Sequence, residues 1–301
     1  MLLRQFITER YAPLHQLSDR TIELYSQTVD RFSEHLGHPA AIDDLDDLVV
    51  SRFLQARCKV GKRGKALSRH SVKKDRSQLL AVWTLAAKKR LQKADGTVIE
   101  FPALPPFKTP QKAPRGYLVA EVQALLADTA RMRGGVCGRP RGCYFKTLYL
   151  ALWQTAGRIG EVMAVRWEDV DLERGIVRFR AETRKNQTRD VERAIGPDLA
   201  KLLAEHVGEP GAAVWAWDRN PTTIYLHLRR QCRRLGFPCR GFHGFRKAAA
   251  SYYQAAGGQA HELLDHHDTG SLARKHYLDS RVVSTGPSAL DLLPKLDVTG
   301  P

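Results

Sequence analysis

The 301-residue chain contains no run of eighteen or more apolar residues, so it offers no candidate for a membrane-crossing helix. Its opening stretch, MLLRQFITERYAPL, is interrupted by Arg4, Glu9 and Arg10 and lacks the continuous apolar core of a secretory signal. We therefore expect an intracellular, cytoplasmic protein. The cysteines at 58, 137, 143, 232 and 239 form no CxxC pair and have no histidine pair at zinc spacing. That argues against a disulfide framework or a zinc finger and for free thiols, with the stretch GRPRG between Cys137 and Cys143 read as an exposed loop. Internal repeats, low-complexity tracts, a Walker-type phosphate loop and a carboxylate metal cluster are missing as well.

Acidic residues are scarce in one block. Residues 1–50 carry four basic and nine acidic side chains, whereas residues 51–93 carry fourteen basic side chains and a single acid, Asp75. With a formal net charge of +16, this one-sided placement points to a polyanionic partner, nucleic acid above all. Lys59, Lys62, Arg63, Lys65, Arg69, Lys73 and Lys74 are the residues expected to meet phosphates.

The first hundred residues read as helices. LSDRTIELYSQTVDRFSEHL, with Ser18 or Asp19 as N-cap, places Ile22, Tyr25, Val29, Phe32 and Leu36 on one face. SRHSVKKDRSQLLAVWTLAAKKRL turns Val72, Leu79, Val82, Trp83 and Ala86 inward and its lysines and arginines outward. Between them, CKVGKRGKALS is glycine-broken and basic, as suits a loop against a phosphate backbone. FPALPPFKTPQKAPRG, residues 101–116, holds five prolines and cannot continue a helix, which places a domain boundary there. Beyond it, YLVAEVQALLADTARM and FKTLYLALWQTAGRIGEVMAVRW are helical, with a break at Ala156-Gly157. GIVRFRAETRKNQTRDVERAIG alternates as a hairpin turning at KNQT. PDLAKLLAEHV, TTIYLHLRRQCRRLG and GFRKAAASYYQAA return to helix.

Four places concentrate chemistry. Arg158 stands among apolar residues, where a charge is costly unless paired. Either it forms a structural pair with Glu161 one turn on, or it binds phosphate with Glu161 in support. His243 and Arg246 share a helix face and make an anion site. Lys185 is a solvated hairpin tip, or a proton donor if the hairpin covers the arginines. In LLDHHDTGSLARKHYLD, the residues alone leave Tyr277 open between packing residue and nucleophile. The histidines there lack the partners of a metal site.

In chain order, Arg158, Lys185, His243 with Arg246, then His266 and Tyr277, the elements resemble the tyrosine site-specific recombinases, the phage integrase and Xer-type family. TAGRIGE matches the family's TGxRxxE at Arg158 and Glu161. Lys185 matches the hairpin lysine, HGFR the HxLR motif at His243 and Arg246, and LLDH the LLGH motif at Leu263–His266. Tyr277 matches the nucleophile. Asp265 replaces the usual glycine, and the step from His266 to Tyr277 is longer than usual, so His266 and His267 both remain candidates for the second histidine. The N-terminal helices are also similar to the family's core-binding domain.

The resemblance implies a two-domain clamp. A helical, SAM-like core-binding domain would span residues 1–104, followed by a proline-rich linker over 105–116. A mainly α catalytic domain with a small β-sheet (α+β) and a C-terminal tail would span 117–301. Tyr277 would attack a DNA phosphorus and form a 3′-phosphotyrosyl link without cofactor, ATP or metal. Arg158 and Arg246 would clamp the phosphate, Lys185 would protonate the leaving 5′ oxygen, and His243 and His266 would orient the reactants. Tyrosine ionises at about 10 when unperturbed, so surrounding cations would favour the phenolate. Implied partners are double-stranded DNA with inverted half-sites, further copies of the chain as dimer or tetramer, and accessory DNA-bending proteins, in a nucleoid-associated setting. An inactive DNA-binding relative and a type IB topoisomerase are the competing readings. The presence of every catalytic residue type disfavours the first, and the helical N-terminal part and small size disfavour the second. The tail SALDLLPKL is expected to dock on a neighbouring copy or to pack back on its own chain.

Overall fold

Apolar spacing and capping account for the first helices. In the computed structural model, which describes residues 1–59, 67–184, 189–265 and 270–283, the short helices α1 (Leu3–Phe6) and α2 (Ala12–Leu14) flank one π turn. Helix α3 (Asp19–Leu36) then starts after Ser18 and stops at Gly37, whose φ of +80° is the left-handed stop that glycine adopts freely. Helices α4 (Asp47–Lys59) and α5 (Arg69–Lys88) complete the set, and Ser68 Oγ caps α5 by accepting the Ser71 N–H at 3.2 Å. Their inward faces bury Phe32, Val50, Phe53, Val72, Leu79, Val82, Trp83 and Ala86 in one core.

Asp75, the lone acid of the basic block, is also buried. It accepts from Arg31 Nη2 at 2.8 Å, Arg57 Nε at 3.1 Å and Thr28 Oγ1 at 3.2 Å, tying α3, α4 and α5 together. The acid therefore takes no part in the outer surface, and Arg69, Lys73 and Lys74 face solvent without it. The chain divides into two units, Met1–Gln111 and Lys112–Pro301. Much of the proline-rich stretch lies along the first unit. Arg76 Nη2 donates to the carbonyls of Leu104 and Pro105, both at 2.9 Å, and His70 Nε2 stands 3.0 Å from the Pro110 carbonyl.

The second unit is mainly helical with small antiparallel sheets. Helix α6 (Val119–Asp128) leads to the two-residue strands β1 (Gly135–Val136) and β2 (Arg139–Pro140). The basic stretch around GRPRG is thus not wholly an exposed loop: Arg139 is buried, 5.7 Å from the Tyr144 ring and 6.0 Å from that of Trp167. Helix α7 (Arg141–Thr155) is the central post, buried at Tyr144, Phe145, Leu148, Tyr149, Ala151 and Leu152. Helix α8 (Ile159–Met163) follows the break.

Strands β3 (Val170–Asp171), β4 (Ile176–Phe179) and β5 (Val191–Ala194) form a sheet in that order, pairing Val177 with Arg193 and Phe179 with Val191. Alternation turns Val177 and Phe179 inward and Arg178 outward. Helices α9 (Pro197–Ala204), α10 (Pro221–Arg234), α11 (His243–Ala255), α12 (Ala260–Leu263) and α13 (Ser271–His276) finish the unit. Helix α11 packs on α7, with Tyr149 and Phe245 stacked at 5.2 Å. Among the described residues no helix is long and apolar enough to cross a membrane.

Candidate active site

The break after α7 is a shaped turn. Ala156 adopts φ +51°, a left-handed conformation that costs a residue with a Cβ about 1–2 kcal/mol. Gly157 has no room for a side chain, because a Cβ there would stand 2.8 Å from Val162 and 3.3 Å from Phe179. The turn aims the Ala156 carbonyl at Arg246, whose Nη1 donates to it at 2.5 Å. It also delivers Arg158 as N-cap of α8. Glu161 accepts the Arg158 backbone N–H at 2.9 Å and its Nη1 at 2.6 Å. The pair and the anion-facing arginine are thus compatible: Glu161 is buried and holds a guanidinium that stays 31% exposed.

Arg246 is only 3% exposed. The α11 face that buries Phe245, Ala248 and Ala249 carries it inward, and its Nη2 donates to the Leu264 carbonyl at 2.8 Å. The Ala156 and Leu264 carbonyls are neutral, its buried Nε has no hydrogen-bond partner, and among the described residues no carboxylate forms an ion pair with it. Burial, then the nearby Arg158 charge, bring its pKa down to about 10, so it remains a cation at neutral pH.

Tyr277 ends α13 and lies on a small cluster of Ala156, Ala249, Ala250, Ala260, Leu264 and Ala273. Its ring centroid is 5.5 Å from the Arg246 guanidinium carbon and 5.2 Å from the His243 ring. A side-chain hydrogen bond links the guanidinium to the phenol. The ring thus both packs on the alanine cluster and lies beside Arg246 and His243. His243 opens α11 with one side exposed to solvent. Crowding by protein atoms, then the charges of Lys247, Arg246 and Arg158, push it down to about 4, so it is neutral at pH 7 despite its open side.

The structure thus brings together Arg158, Glu161, His243, Arg246 and Tyr277. Lys185, His266 and His267 lie outside the described residues, as do Lys62, Arg63, Lys65, the KNQT turn and the tail. Lys59 ends α4, and Arg69, Lys73 and Lys74 lie on the exposed side of α5. No group of three or more potential metal ligands occurs among the described residues.

Two carboxylates gain roles that spacing did not reveal. Asp265 adopts φ +50°, a left-handed conformation in which glycine is easiest and aspartate is tolerated. It accepts hydrogen bonds from both Arg184 and Arg189. Burial opposes its ionisation, but these two guanidinium bonds outweigh burial and take it down to about 2. Arg193 on β5 adds a second tether by donating to the Leu263 carbonyl at 3.0 Å. The other carboxylate, Asp279, lies two residues beyond Tyr277 and is buried. A signal for the first was the pair of arginines bracketing the hairpin turn. A further basic face, with Arg229, Arg230 and Arg233 exposed on α10 and paired with no carboxylate among the described residues, was read only as helix.

An all-helical unit followed by a helical unit with small sheets is a fold shared with solved structures of site-specific recombinases and integrases. Solved structures similar to it include a lambda integrase tetramer bound to a Holliday junction, at TM-score 0.69 and 14% identity over 96% of this chain and 81% of that one. The Tn1549 transposon integrase in complex with transposon right end DNA matches at TM-score 0.66 and 12% identity, over 92% of this chain and 95% of that one. XerH site-specific recombinase bound to palindromic difH substrate matches at TM-score 0.64 and 16% identity, over 87% and 77% respectively. No protein-family model and no curated protein matches the chain.

Proposed function

We propose that the protein is a site-specific DNA recombinase or integrase that cuts and rejoins strands through a 3′-phosphotyrosyl intermediate. The observation that carries this is Arg246: a buried cation with no paired carboxylate among the described residues, set 5.5 Å from the ring of Tyr277. A buried charge lacking a counter-ion is expensive, and a phosphate diester bound at that point would supply one. Arg158, held by Glu161 yet open to solvent, would take the second non-bridging oxygen. Together the two guanidiniums would stabilise the extra negative charge of the pentacoordinate transition state.

The Tyr277 oxygen attacks phosphorus, the bond to the 5′ oxygen breaks, and that oxygen takes a proton from Lys185. Rejoining reverses each step with a 5′-hydroxyl as nucleophile, so the bond energy is conserved. Neutral His243 beside the ring is suited to accept or share the phenolic proton. Double-stranded DNA with inverted half-sites is the substrate, met by Lys59, Lys62, Arg63, Lys65, Arg69, Lys73 and Lys74 of the N-terminal unit, which acts as the core-binding domain. Copies of the chain assemble on paired sites. The exposed arginines of α10 add phosphate contacts from the second unit.

The test is a nicked suicide duplex built from inverted repeats flanking the gene. A covalent protein–DNA adduct is expected with wild type and lost with Tyr277→Phe. An adduct that survives Tyr277→Phe refutes the nucleophile, and relaxation of arbitrary supercoiled DNA without exchange between sites favours a topoisomerase instead.

A further inference from the structure

The segment after the tyrosine is fastened more firmly than its position near the chain end requires. Asp279, 1% exposed, accepts Arg115 Nη1 at 3.0 Å, the Gly116 backbone N–H at 3.0 Å, the Arg281 backbone N–H at 3.0 Å and Arg281 Nη2 at 2.7 Å. Arg281 Nη2 also donates to the Gly116 carbonyl at 2.9 Å, closing a ring of bonds across 165 sequence positions. On its other side the Asp279 N–H donates at 2.9 Å to Ser251 Oγ, a fully buried hydroxyl on α11 that lies 3.3 Å from the Tyr277 carbonyl oxygen.

The anchor itself is rigid. A Cβ on Gly116 would stand 2.6 Å from the Ala248 backbone nitrogen, so only glycine allows the chain to lie this close to α11. The next residue, Tyr117, is buried with its ring 5.0 Å from that of Phe245 and its N–H donating to the Gly244 carbonyl at 3.3 Å. Arg115, Gly116 and Tyr117 are therefore referenced to the same turn of α11 that carries His243 and Arg246. Asp279 couples the tyrosine segment to that reference.

We propose that Asp279 is a positioning residue for Tyr277: its carboxylate clasps the post-tyrosine segment to Arg115 and Gly116 and so sets the phenol against the His243–Arg246 face of α11. The inference rests on the strand-transfer reading above, but the clasp is measurable without it. A buried carboxylate held by several donors fixes direction as well as distance, because each donor satisfies a different lone pair. The clasp acts only through Tyr277 and touches none of the reacting atoms.

Two measurements on the full chain test it, with Asp279→Asn and the milder Ser251→Ala, which removes only the hydroxyl bonds. Hydrogen exchange should speed by about tenfold or more at residues 277–283 in Asp279→Asn while the α11 amides keep their protection. Single-turnover adduct formation at saturating protein on the suicide duplex should fall about 10- to 100-fold with the Kd for the uncleaved site unchanged, since misplacement by about an ångström has that cost. Ser251→Ala should shift both in the same direction by less. Unchanged exchange at 277–283 overturns the clasp. Altered exchange with an unchanged single-turnover rate overturns its positioning role, and so does a parallel loss of affinity and rate, which marks a merely structural residue. Absence of any adduct with wild type defeats the strand-transfer reading and the positioning role built on it, whereas the exchange result still decides whether the clasp exists.

Discussion

A guanidinium that donates to two backbone carbonyls does something an ammonium cannot, because its planar fork spans the Ala156 and Leu264 oxygens at once while its carbon lies 5.5 Å from the centre of the Tyr277 ring. Arg246→Lys keeps the charge and loses the fork. We expect it to lower stability by about 1–2 kcal/mol, the worth of a carbonyl bond left unmade, as read by urea unfolding. It should also reduce adduct formation about 100-fold, as removal of one preorganised donor does. Wild-type adduct rates in Arg246→Lys would show that charge alone suffices. His243 gives a sharper residue-scale prediction. Its pKa in the DNA-free protein is about 4, below the roughly 6.5 of an unfolded histidine. Its contribution to stability is then fully present above pH about 6.5 and is lost as pH falls through about 4. Titration of its ring proton by NMR should show a midpoint near 4, and a midpoint above 6 would contradict the cationic crowding around it.

At the scale of elements, Asp265 binds the β4–β5 hairpin to the turn after α12. Arg184 and Arg189 stand at the two ends of the hairpin turn, so one carboxylate anchors both ends. Asp265→Asn removes the charge while leaving the φ of +50° tolerable, and Asp265→Gly removes the anchor while relieving the backbone. Because the folded pKa of about 2 lies below the unfolded value near 3.8, the pair stabilises by about 2 kcal/mol above pH 4, and this is lost as pH falls towards 2. Acid unfolding of Asp265→Asn should therefore lack that component, and an unchanged acid profile would dismiss the latch. If Lys185 protonates the leaving oxygen, the same variant should slow cleavage of an ordinary duplex more than of one with sulfur at the 5′ bridging position, whose leaving group needs no proton. Periodicity made α3, α5 and the alternating strands β4 and β5 legible, because each is a local pattern with a local cause, whereas the order Arg158, His243, Arg246, Tyr277 was legible only through the resemblance to a family's motifs. The latch and the clasp were not legible: each joins residues from distant parts of the chain, Asp265 stood out only as a replacement for a usual glycine with no sign of its partners, and Asp279 looks like any exposed aspartate until the fold buries it. The two-residue ladder at Gly135–Val136 and Arg139–Pro140 was hidden for a related reason, since only the rings of Tyr144 and Trp167 make Arg139 an inward residue.

For the whole molecule, the net charge of +16 becomes a statement about surfaces once Asp75 is seen to be internal. The outer side of α5 then carries Arg69, Lys73 and Lys74 with no acid from its own block to offset them, while Arg229, Arg230 and Arg233 give α10 a comparable face in the other unit. If both cationic faces meet the proposed DNA substrate, two separately cored units on one chain would bind it bivalently, the second unit meeting DNA at a high effective concentration once the first is on the duplex. Each phosphate contact that is removed should lower the slope of log Kd against log salt by about 0.9. The triple variant Arg69→Ala/Lys73→Ala/Lys74→Ala should thus lower the slope by about 2 to 3 and weaken binding to specific and random duplexes alike, as measured by fluorescence anisotropy across a salt series. The corresponding α10 triple variant should do the same. If instead one triple variant leaves the slope unchanged, that face is merely solvated, and the duplex is held by the other unit alone.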